Sequence, residues 1–201
     1  MSGLDLAFYG RDTLEVAPDL LGKVLVRVVA GRRLTGRIVE VEAYKGPVDK
    51  GAHSYNYRRT PRTRTMFGPP GHAYVYLVYG MHHCLNAVTE PEGEPCAILI
   101  RAVEPLEGRE TMARFRYGKD WDDLTASQRR NMTNGPGKVC QAFSITREWN
   151  GVPLDREEFH IAPGGLEPGE RVLRSRRIGI DYAEEAVDFL WRFTLEEEEE
   201  A

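Results

Sequence analysis

Cysteine is scarce, with three in 201 residues, at positions 84, 96 and 140. The odd count, the wide spacing and the lack of any CxxC pair exclude a disulfide framework and a structural zinc site. No apolar run approaches the roughly 18–20 residues that span a bilayer. The first twenty residues lack the basic start and apolar stretch of a secretory leader, so a reducing, cytoplasmic compartment is expected. The common signatures of covalent and nucleotide chemistry are missing as well. There is no GxSxG elbow and no GxGxxG fingerprint. Asn134-Gly135-Pro136-Gly137-Lys138 looks like a phosphate loop, but Met132 and Val139 stand where that pattern needs Gly and Ser or Thr. The five histidines, at 53, 72, 82, 83 and 160, show no HxxxH or HExxH spacing. Adjacent His82 and His83 in a strand would face opposite ways, so no metal site is expected.

What is present is an ordinary globular composition, 41% hydrophobic and 29% charged. No repeat and no linker divides the chain. One compact α+β domain over residues 1–195, with a mostly antiparallel sheet flanked by helices, is expected, followed by an acidic, disordered tail at 196–201. The net charge is −4, but it is uneven. Residues 31–64 hold nine basic groups against three acidic ones, and the acids concentrate after Cys140. Charges beyond about 8–10 Å are screened at physiological salt, so a partner meets the local potential and not the average. A polyanion partner is therefore compatible with the net charge. A solvated arginine loop is the alternative.

Local patterns predict a helix over 14–21, capped by Asp12 or Thr13 and closed by Gly22. Strands follow at 23–30 and 34–44, joined by a turn at Gly31-Arg32-Arg33. Residues 45–72 form a long polar loop, of a length that is usually functional or disordered. Further strands are predicted at 73–79, 82–88 and 96–103, and helices at 107–116, 125–131 and 137–144. Short strands near 158–162, 171–179 and 188–194 complete the chain.

Three segments could carry chemistry. In the strand Val39–Tyr44, the period of two puts Glu40, Glu42 and Tyr44 on one face, toward a groove or solvent. Val39, Val41 and Ala43 take the other, toward the core. A carboxylate beside an aromatic floor suits a general base, although surface glutamates on strands are common. A pair of carboxylates two residues apart also leaves a sugar-hydrolase reading open. In the strand Tyr74–Tyr79, Tyr74 and Tyr76 share a face, and Gly80 permits a sharp turn after Tyr79. Such tyrosines pair across strands, or stack on a base and wedge into a duplex. At 134–138, Asn134 can cap and Pro136 suits a first turn. That helix start either caps ordinarily or meets one phosphate.

Taken together, these runs resemble the alkyladenine (3-methyladenine) DNA glycosylase family. The resemblance extends from Leu20 to Ala142. It is carried by Gly36–Tyr44, Gly46-Pro47 with Asp49, Ala52-His53-Ser54, and Thr60-Pro61-Arg62 with Arg64. Met66-Phe67, Tyr74-Val75-Tyr76, Tyr79-Gly80-Met81, Asn86, Leu99–Ala102, Glu104–Gly108 and Gly135–Lys138 continue it. Residues 145–201 match loosely, and His82-His83 stand where aromatic or apolar residues are expected.

The resemblance implies a monofunctional enzyme that flips alkylated or deaminated purines from double-stranded DNA and hydrolyses the N-glycosidic bond. Glu42 would activate water, with Arg101 holding it. Tyr44, His53 and Tyr76 would sandwich the flipped base, and Asn86 would exclude the amine of guanine. Tyr79 would fill the gap in the duplex, beside Met81. Arg58, Arg59, Arg62, Arg64, Gly135 and Lys138 would meet the backbone. The resemblance implies no metal or organic cofactor. No membrane association is expected, and a monomer in the cytoplasm, at the nucleoid, is the plain expectation. Lys45 is the one lysine near Glu42 in sequence, so no Schiff-base step is expected. A non-catalytic nucleic-acid binding module with the same groove and a hydrolase of small glycosides are the competing readings.

Overall fold

The computed structural model describes residues 2–78 and 80–197. After a short helix α1 (Leu6–Tyr9), helix α2 (Thr13–Leu20) begins where the Asp12 carboxylate accepts the Leu14 N–H at 2.7 Å. Val16, Ala17 and Leu20 fall on one face and are buried. Gly22 closes the helix at φ +78°, where an added Cβ would lie 2.2 Å from the Gly165 carbonyl oxygen.

Strands β1 (Val24–Val29) and β2 (Arg32–Lys45) form a hairpin. Its turn is Ala30-Gly31, not the expected 31–33. Both residues have positive φ, as the tight turn matched to strand twist requires. β3 (Ala73–Val78), β4 (His82–Thr89) and β5 (Cys96–Glu107) build a meander, with Gly80 at φ +71° in the first turn. Three 3-10 segments, Gly46–Val48, Tyr55–Tyr57 and Arg64–Phe67, order the long polar loop. Helices α3 (Arg109–Tyr117), α4 (Ala126–Arg130) and α5 (Pro136–Ala142) follow.

The C-terminal strands are β6 (Asp155–Arg156), β7 (Phe159–Ala162), β8 (Glu170–Ser175) and β9 (Arg192–Glu197). β8 stops four residues short of its expected end. β9 begins four residues late and takes in Glu196 and Glu197, which the sequence pattern assigns to the tail. The ladder with β8 holds them in the strand, and Arg171, opposite Glu196, also pairs with it at 2.8 Å. The rest of the acidic run lies outside the described residues.

All described pairings are antiparallel, in the order β3-β4-β5-β2-β1-β7-β6. One edge of β2 is shared. Residues 32–37 pair with β1, and Glu40–Glu42 pair with β9, itself paired to β8. The C-terminal strand is thus brought directly beside Glu42. The core lies between the sheet and α2, α3 and α5, around Leu25, Ile38, Val41, Leu85, Ile98 and Phe143.

Candidate active site

β2 and β5 run in simple register at Glu42, opposite Leu99, but slip on either side of Glu40. Ile38 pairs with Val103, Glu40 with Ala102 and Val41 with Ile100. Val39 and Arg101 are therefore the extra residues of a double irregularity, and such bulges redirect side chains. Ile38 and Val41 both enter the core, while Val39 is only half-buried. This corrects the strict alternation expected for Val39, Val41 and Ala43.

Arg101 is turned toward the carboxylates. Its Nε donates to Glu40 Oε1 at 2.9 Å, and its Nη1 lies 3.3 Å from Glu42 Oε2. Arg192 on β9 donates to the same Glu40 oxygen at 2.6 Å. The Glu42 side chain has no exposed surface. Its Oε2 accepts from the Tyr44 hydroxyl at 2.7 Å and its Oε1 from the Ile178 N–H at 2.8 Å. The carboxylate is thus enclosed just behind the groove wall and does not open to solvent as the strand pattern suggests. Burial, and next the Glu42 charge, hold the Tyr44 phenol well above its ordinary pKa. Burial pulls the Arg101 pKa down, but Glu42 and Glu40 outweigh it and leave it raised.

In front of this wall is a cleft of about 440 Å³, in the size range of ligand pockets. Tyr44, His53, Tyr76 and Asn86, the residues expected around the base, line it, and so does Arg101, expected beside Glu42. Tyr74 and Tyr76, two apart on β3, lie with ring centroids 5.1 Å apart, and His53 meets Tyr76 edge-on at 4.7 Å. His53 Nδ1 is 3.2 Å from the Tyr74 hydroxyl. Burial, and then the Arg62 charge, pull the His53 pKa down to about 4, so the imidazole is neutral near pH 7. Burial pushes Tyr74 up to about 12 and raises Tyr76 as well. Asn86 donates to the Tyr74 carbonyl at 2.9 Å, which fixes its amide against the cleft.

Arg58, Arg59, Arg62 and Arg64 are all exposed, and Arg62 is at the cleft. The loop that bears them is held by Thr63, whose hydroxyl donates to the Arg58 carbonyl at 2.9 Å. The Arg62 guanidinium lies 4.6 Å from the Tyr76 ring centroid and lines the cleft. Met81 is 73% exposed on the β3–β4 turn. Tyr79, expected as its neighbour in a wedge, lies outside the described residues. Lys138 donates to Asn131 at 2.9 Å and to Asn134 at 2.7 Å, beside Gly135. The start of α5 abuts both β4 and the cleft: Pro136 lines the cleft, and a Cβ on Gly137 would come within 3.1 Å of the His82 Cβ. His82 is exposed and His83 half-buried. Lys45 faces away, bound to Asp12 and to Glu90 at 3.2 Å.

Sequence reasoning misses the back of the site. Arg177 and Asp49 form a fully buried ion pair at 2.5 and 2.8 Å. The Arg177 guanidinium is 4.7 Å from the Tyr44 ring centroid. The next residue supplies the N–H that Glu42 accepts. Asp49 falls within a quoted run, but Arg177 and Arg192 sit where the resemblance is loose, and nothing in their spacing points to Glu42.

Residues 7–199 match the model of a family described as methylpurine-DNA glycosylase. A protein of Alkaliphilus oremlandii is 56% identical over 194 residues, covering 96% of each chain. One of Clostridium acetobutylicum is 54% identical over 188 residues, covering 94% of this chain and 91% of its own. One of Bacillus thuringiensis is 54% identical over 197 residues, covering 94% of each. All three carry the name "Putative 3-methyladenine DNA glycosylase". The enclosed glutamate and its aromatic cleft thus sit in a DNA glycosylase, a hydrolase of N-glycosyl bonds whose substrate is DNA. The chain belongs to the methylpurine-DNA glycosylase family, whose work is the repair of alkylated bases.

Proposed function

We propose that this enzyme extrudes a damaged purine from double-stranded DNA and hydrolyses its glycosidic bond with water activated by Glu42. A base within a duplex is out of reach, so it must leave the stack first. Stacking against Tyr44, His53 and Tyr76 offsets that cost, at about 1–3 kcal/mol per base. A purine alkylated at N3 or N7 is cationic and gains further from aromatic faces. It is also a good leaving group, so no covalent nucleophile is needed. Water forms the new bond to C1′ as the bond from C1′ to the purine nitrogen breaks. The base takes that bond's electron pair, and the proton from water passes to Glu42. Arg101, whose Nη1 is 3.3 Å from Glu42 Oε2 and which lines the cleft, helps to hold the water and the carboxylate. Asn86 supplies an amide at the cleft edge that disfavours the exocyclic amine of guanine. Arg58, Arg59, Arg62, Arg64, Gly135 and Lys138 meet phosphates, while Met81 and Tyr79 enter the stack. The engagement of Lys45 by Asp12 and Glu90 supports hydrolysis without a lyase step.

The observation that carries this reading is the burial of Glu42, held by two hydrogen-bond donors and the Arg101 guanidinium, immediately behind an aromatic cleft. The test is release of free base from methylated duplex DNA in EDTA, wild type beside Glu42→Gln. Wild type is expected to release 3-methyladenine, and the variant to be slower by about 10²–10⁴, the usual worth of a general base. An equal rate in the variant removes Glu42 from this role.

A further inference from the structure

We propose that Arg177, paired with Asp49, is a positioning residue for base hydrolysis, locking the segment that carries Ile178 against Glu42. The inference rests on the reading of Glu42 as the base. Both side chains of the pair have no exposed surface. Arg177 grips several parts of the molecule at once. Nη1 donates to Asp49 Oδ2 at 2.5 Å and to the Ala43 carbonyl, on the catalytic strand, at 2.9 Å. Nη2 donates to Asp49 Oδ1 at 2.8 Å and to the Ala186 carbonyl at 3.3 Å. The flat guanidinium lies between the Tyr44 and Trp191 rings, 4.7 and 5.1 Å from their centroids.

These contacts bear on both oxygens of Glu42. The Ile178 N–H, one residue on, holds Oε1, and the hydroxyl of Tyr44, whose ring packs on the guanidinium, holds Oε2. Beyond it, Ile178, Gly179, Ile180 and Tyr182 line the cleft, and the Ile178 side chain is half exposed there. The segment has no ladder of its own, because β8 ends at Ser175. Arg177, through the Ala43 carbonyl, anchors it to β2 beside the Ile178 N–H. Stability alone is a poor reason for the pair, since desolvating two charges often costs more than their attraction returns. Arg177 Nε, moreover, has no partner among the described residues. A rigid planar fork that joins a carboxylate, two carbonyls and two rings fixes geometry in a way lysine cannot.

The test compares Arg177→Met, Arg177→Lys and the double variant Asp49→Asn/Arg177→Met with wild type and Glu42→Gln. Single-turnover base release is measured at saturating enzyme, together with affinity for a duplex holding an uncleavable abasic analogue. Positioning predicts release slower by up to about 10²-fold, as for a reacting group displaced by roughly 1 Å. Duplex affinity and reaction amplitude stay near wild type, and lysine does not rescue. The double variant leaves no unpaired buried charge, so it reports on positioning even if Arg177→Met does not fold. Its release is expected to be slow as well. A wild-type rate in the double variant or in Arg177→Lys overturns the proposal. So does a loss of amplitude and affinity with an unchanged rate constant, which marks a purely structural role. Inactive Glu42→Gln with normal Arg177 variants defeats only this inference. Normal Glu42→Gln defeats the parent reading and this one with it.

Discussion

Lowering the pH should weaken the fold through His53, and the direction and size follow from its surroundings. In the unfolded chain this imidazole takes up a proton near its ordinary 6.5, but burial and Arg62 delay uptake in the folded protein to about 4. Between those values the unfolded state binds more protons, so stability falls as the pH falls from 6.5 to 4. Below about 4 both states are protonated and no further loss arises from this group. Two and a half units at about 1.4 kcal/mol each set an upper bound of roughly 3.5 kcal/mol. For a protein of this size that corresponds to about 7–14 °C in Tm. The assay is thermal melting from pH 7.5 to 4, wild type beside His53→Gln, which does not titrate but still bonds the Tyr74 hydroxyl. Wild type should lose the extra stability across the window, with its imidazole titrating near 4 by NMR. Parallel curves would refute the reasoning, because they would mean that His53 is solvated and free to ionise.

Two shorter predictions concern the cleft and its rim. Tyr76→Leu keeps the apolar contact but loses the ring between His53 and Tyr74. Affinity for duplex holding a damaged purine should fall by about 1–3 kcal/mol in a binding titration, with undamaged duplex little affected. Arg58→Ala removes one exposed cation from the loop held by Thr63. Its log–log plot of duplex affinity against salt should be shallower by about 1, without change in preference among bases. A wild-type slope would take Arg58 off the phosphate path.

The sequence by itself carries the sheet from β1 to β5, because alternating apolar residues and glycine turns are local signals. Through the runs shared with a known family it also nominates Tyr44, His53, Tyr76 and Asn86 for the pocket and Arg101 for the place beside Glu42. The structure brings these five side chains to the wall of one cleft. Two features depend on tertiary structure. The bulge that aims Arg101 at Glu40 and Glu42 comes from how β2 and β5 slip past each other, and no period-two pattern encodes a slip. The enclosure of Glu42 is completed by a residue more than 130 positions away. β9 joins the free half of the β2 edge, and Arg177 and Ile178 arrive with the chain that precedes it. Charge, period and spacing are properties of neighbours in sequence. A buried ion pair and a backbone N–H donated to a carboxylate depend on which distant strands meet, and only the folded chain decides that.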